Sequence, residues 1–250
     1  MKLPAHLDAV CERHQYSLIF ATISGAHLYG FPSPDSDYDL RGVHALPIDS
    51  VIGLDDSEET IELSRRENGI DLDLVTHDIK KFMKLMLKPN GYVLEQLYSP
   101  LVVRTSAAHD ELKQLGSRCI TKLHSKHYLG FALGQWKLFQ KEEPPRVKPL
   151  LYVYRVLLTG INLMRTGRIE ANLLTLNQEF NLPYISELIE LKVANSERQV
   201  LNAADVEFHA QQVRRLESVL QESADSTMLP RNPTAKADLN DLLKRIRRGG

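Results

Sequence analysis

Strand-like and helix-like patterning segregate along this chain of 250 residues, the first giving way to the second near residue 105. Short runs with the two-residue alternation of half-buried strands cover Ser17 to Ser24, Tyr38 to His44, Thr60 to Arg66 and Ile70 to Thr76, with a further short candidate at Leu101 to Thr105. The third and fourth runs predict a hairpin around Glu67-Asn68-Gly69. A helix is expected over Leu3 to His14. Another follows Asp78, a good N-cap, with Ile79, Phe82, Met83 and Met86 on one side; Pro89-Asn90-Gly91 ends it, and a short helix carries Val93, Leu94 and Leu97. Beyond Ser106 the periodicity is helical: Ala107 to Leu115, Lys122 to Lys141, Lys148 to Arg165, Glu170 to Phe180, Ile185 to Ala194, Ala203 to Gln221 and Lys236 to Arg247. Gly130 and Gly134, four apart, are read as allowing close helix packing. Ser223 to Pro233 reads as a loose connector and Arg245 to Gly250 as a frayed end. The expectation is an α+β protein, with a mixed sheet flanked by helices over residues 1–105 and an all-helical bundle over 106–250.

With 43% hydrophobic and 25% charged residues, such a chain can bury a substantial core. Its two cysteines, Cys11 and Cys119, lack ligand-like spacing, which argues against a disulfide framework or a cysteine-based zinc site. Asp8 and Glu12 fall in the first dozen residues, and no stretch of about 18 apolar residues occurs, so the expectation is a cytoplasmic protein with no membrane span. The net charge of −1 conceals a division: residues 1–110 hold 10 Lys and Arg against 17 Asp and Glu, and residues 111–250 hold 21 against 15. Between Lys113 and Arg168, 11 basic residues face only Glu142 and Glu143, a surface suited to an anionic ligand.

Three groups carry chemistry. Asp37 and Asp39 lie two apart, and on a strand residues i and i+2 share a side, so two carboxylates face one point. They repel unless a cation sits between them; a hard divalent ion with oxygen ligands, Mg²⁺ above all, holds such a pair ionised and binds phosphates as well. Upstream, apolar Leu18 to Ala21 lead through Ser24 into Gly25-Ala26, a turn whose backbone N–H groups can converge on a phosphate. Ser36 either positions a phosphate or shapes the turn after Pro34-Asp35. Finally, Lys148, Tyr152 and Arg155 stand at i, i+4 and i+7 of one helix, offering two cations and an aromatic ring to a triphosphate and a base. His124 and His127 lack further ligands nearby and read as surface or core residues. Arg41 shares the face of Asp39 and can pair with carboxylates or orient a phosphate.

Gly25-Ala26-His27-Leu28-Tyr29-Gly30 followed by Pro34-Asp35-Ser36-Asp37-Tyr38-Asp39-Leu40-Arg41-Gly42-Val43 resembles the DNA polymerase beta-like nucleotidyltransferase superfamily, in its predicted branch associated with RNA ligases. Asp71 to Phe82, Asn90 and Leu94-Glu95-Gln96-Leu97 follow the same branch; the helical half is similar more loosely. The resemblance implies an N-terminal nucleotidyltransferase fold and transfer of a nucleoside monophosphate from an NTP to a hydroxyl, an RNA end first among acceptors. It implies two Mg²⁺ ions, with Mn²⁺ as a substitute, bridged by Asp37 and Asp39. The third carboxylate would come from Asp71, first choice because the family's third acid sits just inside that strand, or from Asp73 on the same face. Where the superfamily carries Gly-Ser at the turn, this chain has Ala26; the missing hydroxyl forfeits about 1.5–3 kcal/mol toward a charged acceptor unless backbone amides or Ser24 replace it. The alternative is an antitoxin-like relative that binds a nucleotide or a partner without catalysis.

Overall fold

A computed structural model of the chain describes residues 5–34, 36–67, 70–194, 201 and 203–249, leaving aside the side chains of 5, 6, 65–67, 70, 71, 194, 203 and 204. The chain groups into two compact units. The first comprises 1–28, 37–120 and 232–250; the second comprises 29–36 and 121–231.

The first unit is built on five strands among the described residues: β1 (Leu18–Ile23), β2 (Tyr38–His44), β3 (Thr60–Glu67), β4 (Ile70–Asp78) and β5 (Val102–Arg104). Their order is β3-β4-β2-β1-β5, with β2 and β4 parallel and the other neighbours antiparallel. The expected hairpin is present as β3 against β4, closing at Glu67 opposite Ile70; residues 68 and 69 of its turn lie outside the described residues. Alternation sorts the side chains between the two faces. Leu40 of β2 and Leu72 and Leu74 of β4 meet Ile23 and the buried Leu7 and Val10 of α1 (Ala5–Glu12) on one face. Arg104 on β5 ties down the same helix by ion pairs to Asp8 at 2.6 Å and Glu12 at 3.0 Å.

Phe20 looks the other way. It packs edge-on against Phe82 of α4 (Ile79–Met86) and stacks on His109 of α6 (Ala107–Gly116). Asp78 caps α4 by accepting from Lys80 N at 2.9 Å, and Ile79, Phe82, Met83 and Met86 are buried as their spacing predicts. Asn90 caps α5 (Gly91–Leu97) in the same way, accepting from Tyr92 N. Two short elements sit in the loops, α2 (Gly25–Tyr29) and α3 (Ile48–Ile52).

The second unit is helical: α7 (His124–Lys141), α8 (Val147–Thr166), α9 (Leu173–Phe180), α10 (Pro183–Ala194) and α11 (Ala203–Ser226). Helix α8 is its axis, buried almost all round from Val147 to Met164. Two expectations are corrected. Gly130 and Gly134 do not seat a neighbouring helix, because nothing lies within 4 Å of a Cβ built on either. The carboxy-terminal helix α12 (Lys236–Arg247) is not frayed at its end: it belongs to the first unit, with Arg245 paired to Glu111 and Arg247 donating to both oxygens of the buried Asp78 at 2.6 and 2.5 Å. No helix among the described residues is long and apolar enough to cross a membrane.

Candidate active site

Strand β2 carries Asp39 and Arg41 on the face opposite Leu40, and the parallel register sets Asp39 level with Asp73 of β4. The two carboxylates are joined by one guanidinium. Arg41 Nη2 donates to Asp39 Oδ1 and Asp73 Oδ2, each at 3.0 Å. Arg41 Nη1 donates to the carbonyls of Leu40 at 2.8 Å and Asp73 at 3.0 Å, and Nε donates to the Tyr92 hydroxyl at 2.9 Å. The other oxygen of Asp73, Oδ1, accepts from Ser64 of β3 at 3.0 Å. Burial works against the charge on Arg41, but Tyr92, Asp39 and Asp73 outweigh it and hold the guanidinium above its ordinary pKa.

The turn after β1 closes against this cluster. Ser24 N donates to Asp39 O at 2.8 Å, and Gly25 adopts φ +62°, where glycine is favoured. A Cβ on Gly25 would fall 1.8 Å from Asp39 Oδ2, so the backbone of the turn and the free side of that carboxylate share one space. His27 stacks on Tyr38 with ring centroids 4.1 Å apart, fastening the short α2 over the start of β2. Asp37, one residue before β2, is exposed. Ser24 Oγ is buried and has no protein partner among the described residues, and the Ala26 methyl is buried.

Most residues singled out in the sequence have a definite place. Asp39, Asp73, Ser24 and Gly25 converge; Asp37 adjoins them in sequence; the side chain of Asp71 lies outside the described residues, as does Asp35. Ser36 shapes a turn in the second unit, its Oγ accepting from Ser33 N at 2.9 Å. Ser33 Oγ in turn accepts from the buried Lys192 of α10 at 2.9 Å. Lys148 is half-buried on α8. Tyr152 presents its ring edge-on to Tyr29 and Phe31, and Arg155, 2% exposed, lays its guanidinium 4.0 Å over the Tyr29 ring. Sequence reasoning missed Tyr92 and Ser64, which touch the cluster through hydrogen bonds across 51 and 9 residues and stand in no motif.

The other candidate centres are structural. His124 is fully buried and bonded through Nδ1 to Thr121, and burial lowers its pKa to about 4, as befits a core histidine. Cys11 and Cys119 are free and buried, and burial pushes both thiols up to about 11. Among the described residues no group of three or more His, Cys, Asp or Glu side chains is disposed as a complete metal cage.

A mixed sheet with an acid pair behind a glycine turn, followed by helices, is the layout of polymerase beta-like nucleotidyltransferases. The chain belongs to that class through the RlaP family, the RNA repair pathway DNA polymerase beta family, whose model matches residues 2–245. It is 34% identical over 159 residues to the uncharacterized protein MJ0002 of Methanocaldococcus jannaschii, covering 62% of this chain and 63% of the relative. It is 25% identical over 154 residues to the uncharacterized protein YcgL of Bacillus subtilis, covering 61% and 58%. The chain thus spans somewhat less than two thirds of either relative. A nucleotidyltransferase-like protein from Exiguobacterium sibiricum aligns over 98% of this chain and 77% of its own at 12% identity with a TM-score of 0.33.

Proposed function

We propose that the chain is a divalent-metal-dependent nucleotidyltransferase that moves a nucleoside monophosphate from an NTP to an acceptor hydroxyl, with an RNA end as the acceptor. The observation that carries the reading is the apposition of Gly25 and Asp39, where a Cβ would strike Oδ2. A turn that presents bare backbone beside a carboxylate suits a triphosphate and the cation that accompanies it. The donors fit Mg²⁺: hard carboxylate oxygens from Asp37 and Asp39, with Asp73 level with Asp39 in the parallel register and Asp71 two residues away on its strand. When bound, Mg²⁺ or Mn²⁺ supplies charge neutralisation to the phosphates and activates the acceptor hydroxyl, as in two-metal transfers.

The remaining work falls to the protein. The backbone N–H groups at Gly25 and Ala26 would hold phosphate oxygens, since the buried Ala26 methyl offers no hydrogen bond. RNA as the acceptor is supported by the description of the family.

The test is incubation of the full chain with each α-labelled NTP, Mg²⁺ or Mn²⁺ and total RNA. Labelled RNA is expected, and Asp37→Asn and Asp39→Asn should each lower labelling at least about a hundredfold, some 2.7 kcal/mol of transition-state stabilisation, at an unchanged melting temperature. Absence of label on RNA, protein and small acceptors with every NTP and both metals would sink the proposal and favour the antitoxin-like binder. Phosphate release without any labelled acceptor would reassign the chain as a hydrolase.

A further inference from the structure

Arg41 is the most heavily committed polar side chain of the candidate site. A guanidinium has five N–H donors and no acceptor. All five have a partner here: the Tyr92 hydroxyl, the carbonyls of Leu40 and Asp73, and one oxygen each of Asp39 and Asp73. The side chain is 13% exposed. Asp39, by contrast, spends only Oδ1 on Arg41 and keeps Oδ2 on the side of the Gly25 turn.

We propose that Arg41 is a positioning residue: its planar fork locks Asp39 and Asp73 in register, so that Asp39 Oδ2, and Asp73 Oδ1 with the Ser64 hydroxyl beside it, face away from the guanidinium as a ready-made cation site, and it does not itself bind phosphate. This rests on reading those carboxylates as the cation site of a nucleotidyltransferase. The physical case has three parts. Two carboxylates level on adjacent parallel strands repel, and a shared guanidinium offsets that repulsion without occupying their outer oxygens. The fork is pinned at its far end by main-chain carbonyls and Tyr92, so the orientation of Asp39 is inherited from the sheet rather than from its own rotamer freedom. Reaching for a phosphate would strip hydrogen bonds from a largely buried cation.

Lysine keeps the charge and loses the fork, since one ammonium cannot reach acceptors spread over two strands and α5. The experiment is therefore Mn²⁺ binding to the full chain without nucleotide, by titration calorimetry or by the spin signal of free Mn²⁺. The variants are Arg41→Lys, Asp39→Asn and Tyr92→Phe, the last at a residue 39% exposed where loss of a hydroxyl leaves the fold intact. Arg41→Lys should weaken Mn²⁺ binding at least about tenfold, as is typical on losing a partner that orients metal ligands, and Tyr92→Phe, which removes one of the five contacts, should weaken it by less. In the labelling assay at saturating Mn²⁺, Arg41→Lys should lower kcat and leave KM for the NTP unchanged.

Parent-like Mn²⁺ binding by both variants would overturn the proposal. So would a raised KM for the NTP with Mn²⁺ binding and kcat intact, which would make Arg41 a phosphate ligand. If the parent binds Mn²⁺ and Asp39→Asn abolishes that binding while no NTP labels any acceptor, the transfer reading fails, yet the weakening by Arg41→Lys still supports the positioning role. A parent that binds no Mn²⁺ overturns both.

Discussion

Gly25 and His44 show how a single position can bind local geometry to behaviour. The left-handed conformation at Gly25 costs an alanine about 1–2 kcal/mol, and the added Cβ must push the Asp39 carboxylate from its place. Gly25→Ala is accordingly expected to lower stability by about 2 kcal/mol in a denaturant melt and to reduce RNA labelling at least about a hundredfold. The labelling deficit should far exceed anything the lost stability accounts for at room temperature. His44 is fully buried, its Nδ1 on the Thr76 hydroxyl at 2.9 Å, with His14 Nε2 on the same hydroxyl at 3.0 Å. Burial first, then His14, and less so Arg247 and His77, push its pKa down to about 4 against the opposing pull of Asp78. Unfolded, it would titrate near 6.5. Above that pH it is neutral in both states and contributes no pH dependence. As pH falls from 6.5 toward 4 the unfolded chain takes up a proton that the folded chain refuses, so stability drops, by roughly 3 kcal/mol in all, and the loss is complete below about 4. Urea melts at pH 7.5 and 4.5 should show the parent losing roughly 2–3 kcal/mol more than His44→Gln over that interval.

Among elements, α7 carries an expense that the folded chain does not explain. Gly130 and Gly134 lie inside an 18-residue helix with open space where a side chain would stand. Glycine in an exposed helix interior costs about 1 kcal/mol relative to alanine. Gly130→Ala and Gly134→Ala should each raise the unfolding free energy by about that amount, additively if the sites are independent, as read from denaturant midpoints at constant slope. Reading these glycines as a packing groove from their spacing alone fails because a four-residue interval names a face without saying what opposes it. Helix α3 was illegible for a related reason: its five residues are too short a window for Ile48, Val51 and Ile52 to establish a period, and none of them is buried. By contrast α4, with a cap at Asp78 and four buried residues at helical spacing, was legible in full.

At the scale of the whole molecule, the first unit is assembled from three chain segments and held by contacts across most of the sequence. Arg247, 8% exposed, meets Asp78, 1% exposed, across 169 residues, and also donates to the carbonyl of Leu46. Removing the cation leaves a buried carboxylate with two backbone donors among the described residues, Leu46 N and Lys80 N. Arg247→Met should therefore cost about 3–5 kcal/mol of stability, measured by chemical denaturation; a loss below about 1 kcal/mol would mean that the helix end is loose after all. The five strands and the longer helices, the cap at Asp78, the glycine turn and the Asp37–Asp39 spacing were set by the sequence itself, because each depends on residues a few positions apart and on periods of 2 and 3.6. Tertiary structure alone decided that Asp73 stands level with Asp39, that Arg41 joins them, that Tyr92 completes the clamp and that the last helix returns to Asp78. Those are matters of register and chain return, and no local pattern encodes which strand will lie beside which or how far a chain must travel before its charge finds a partner.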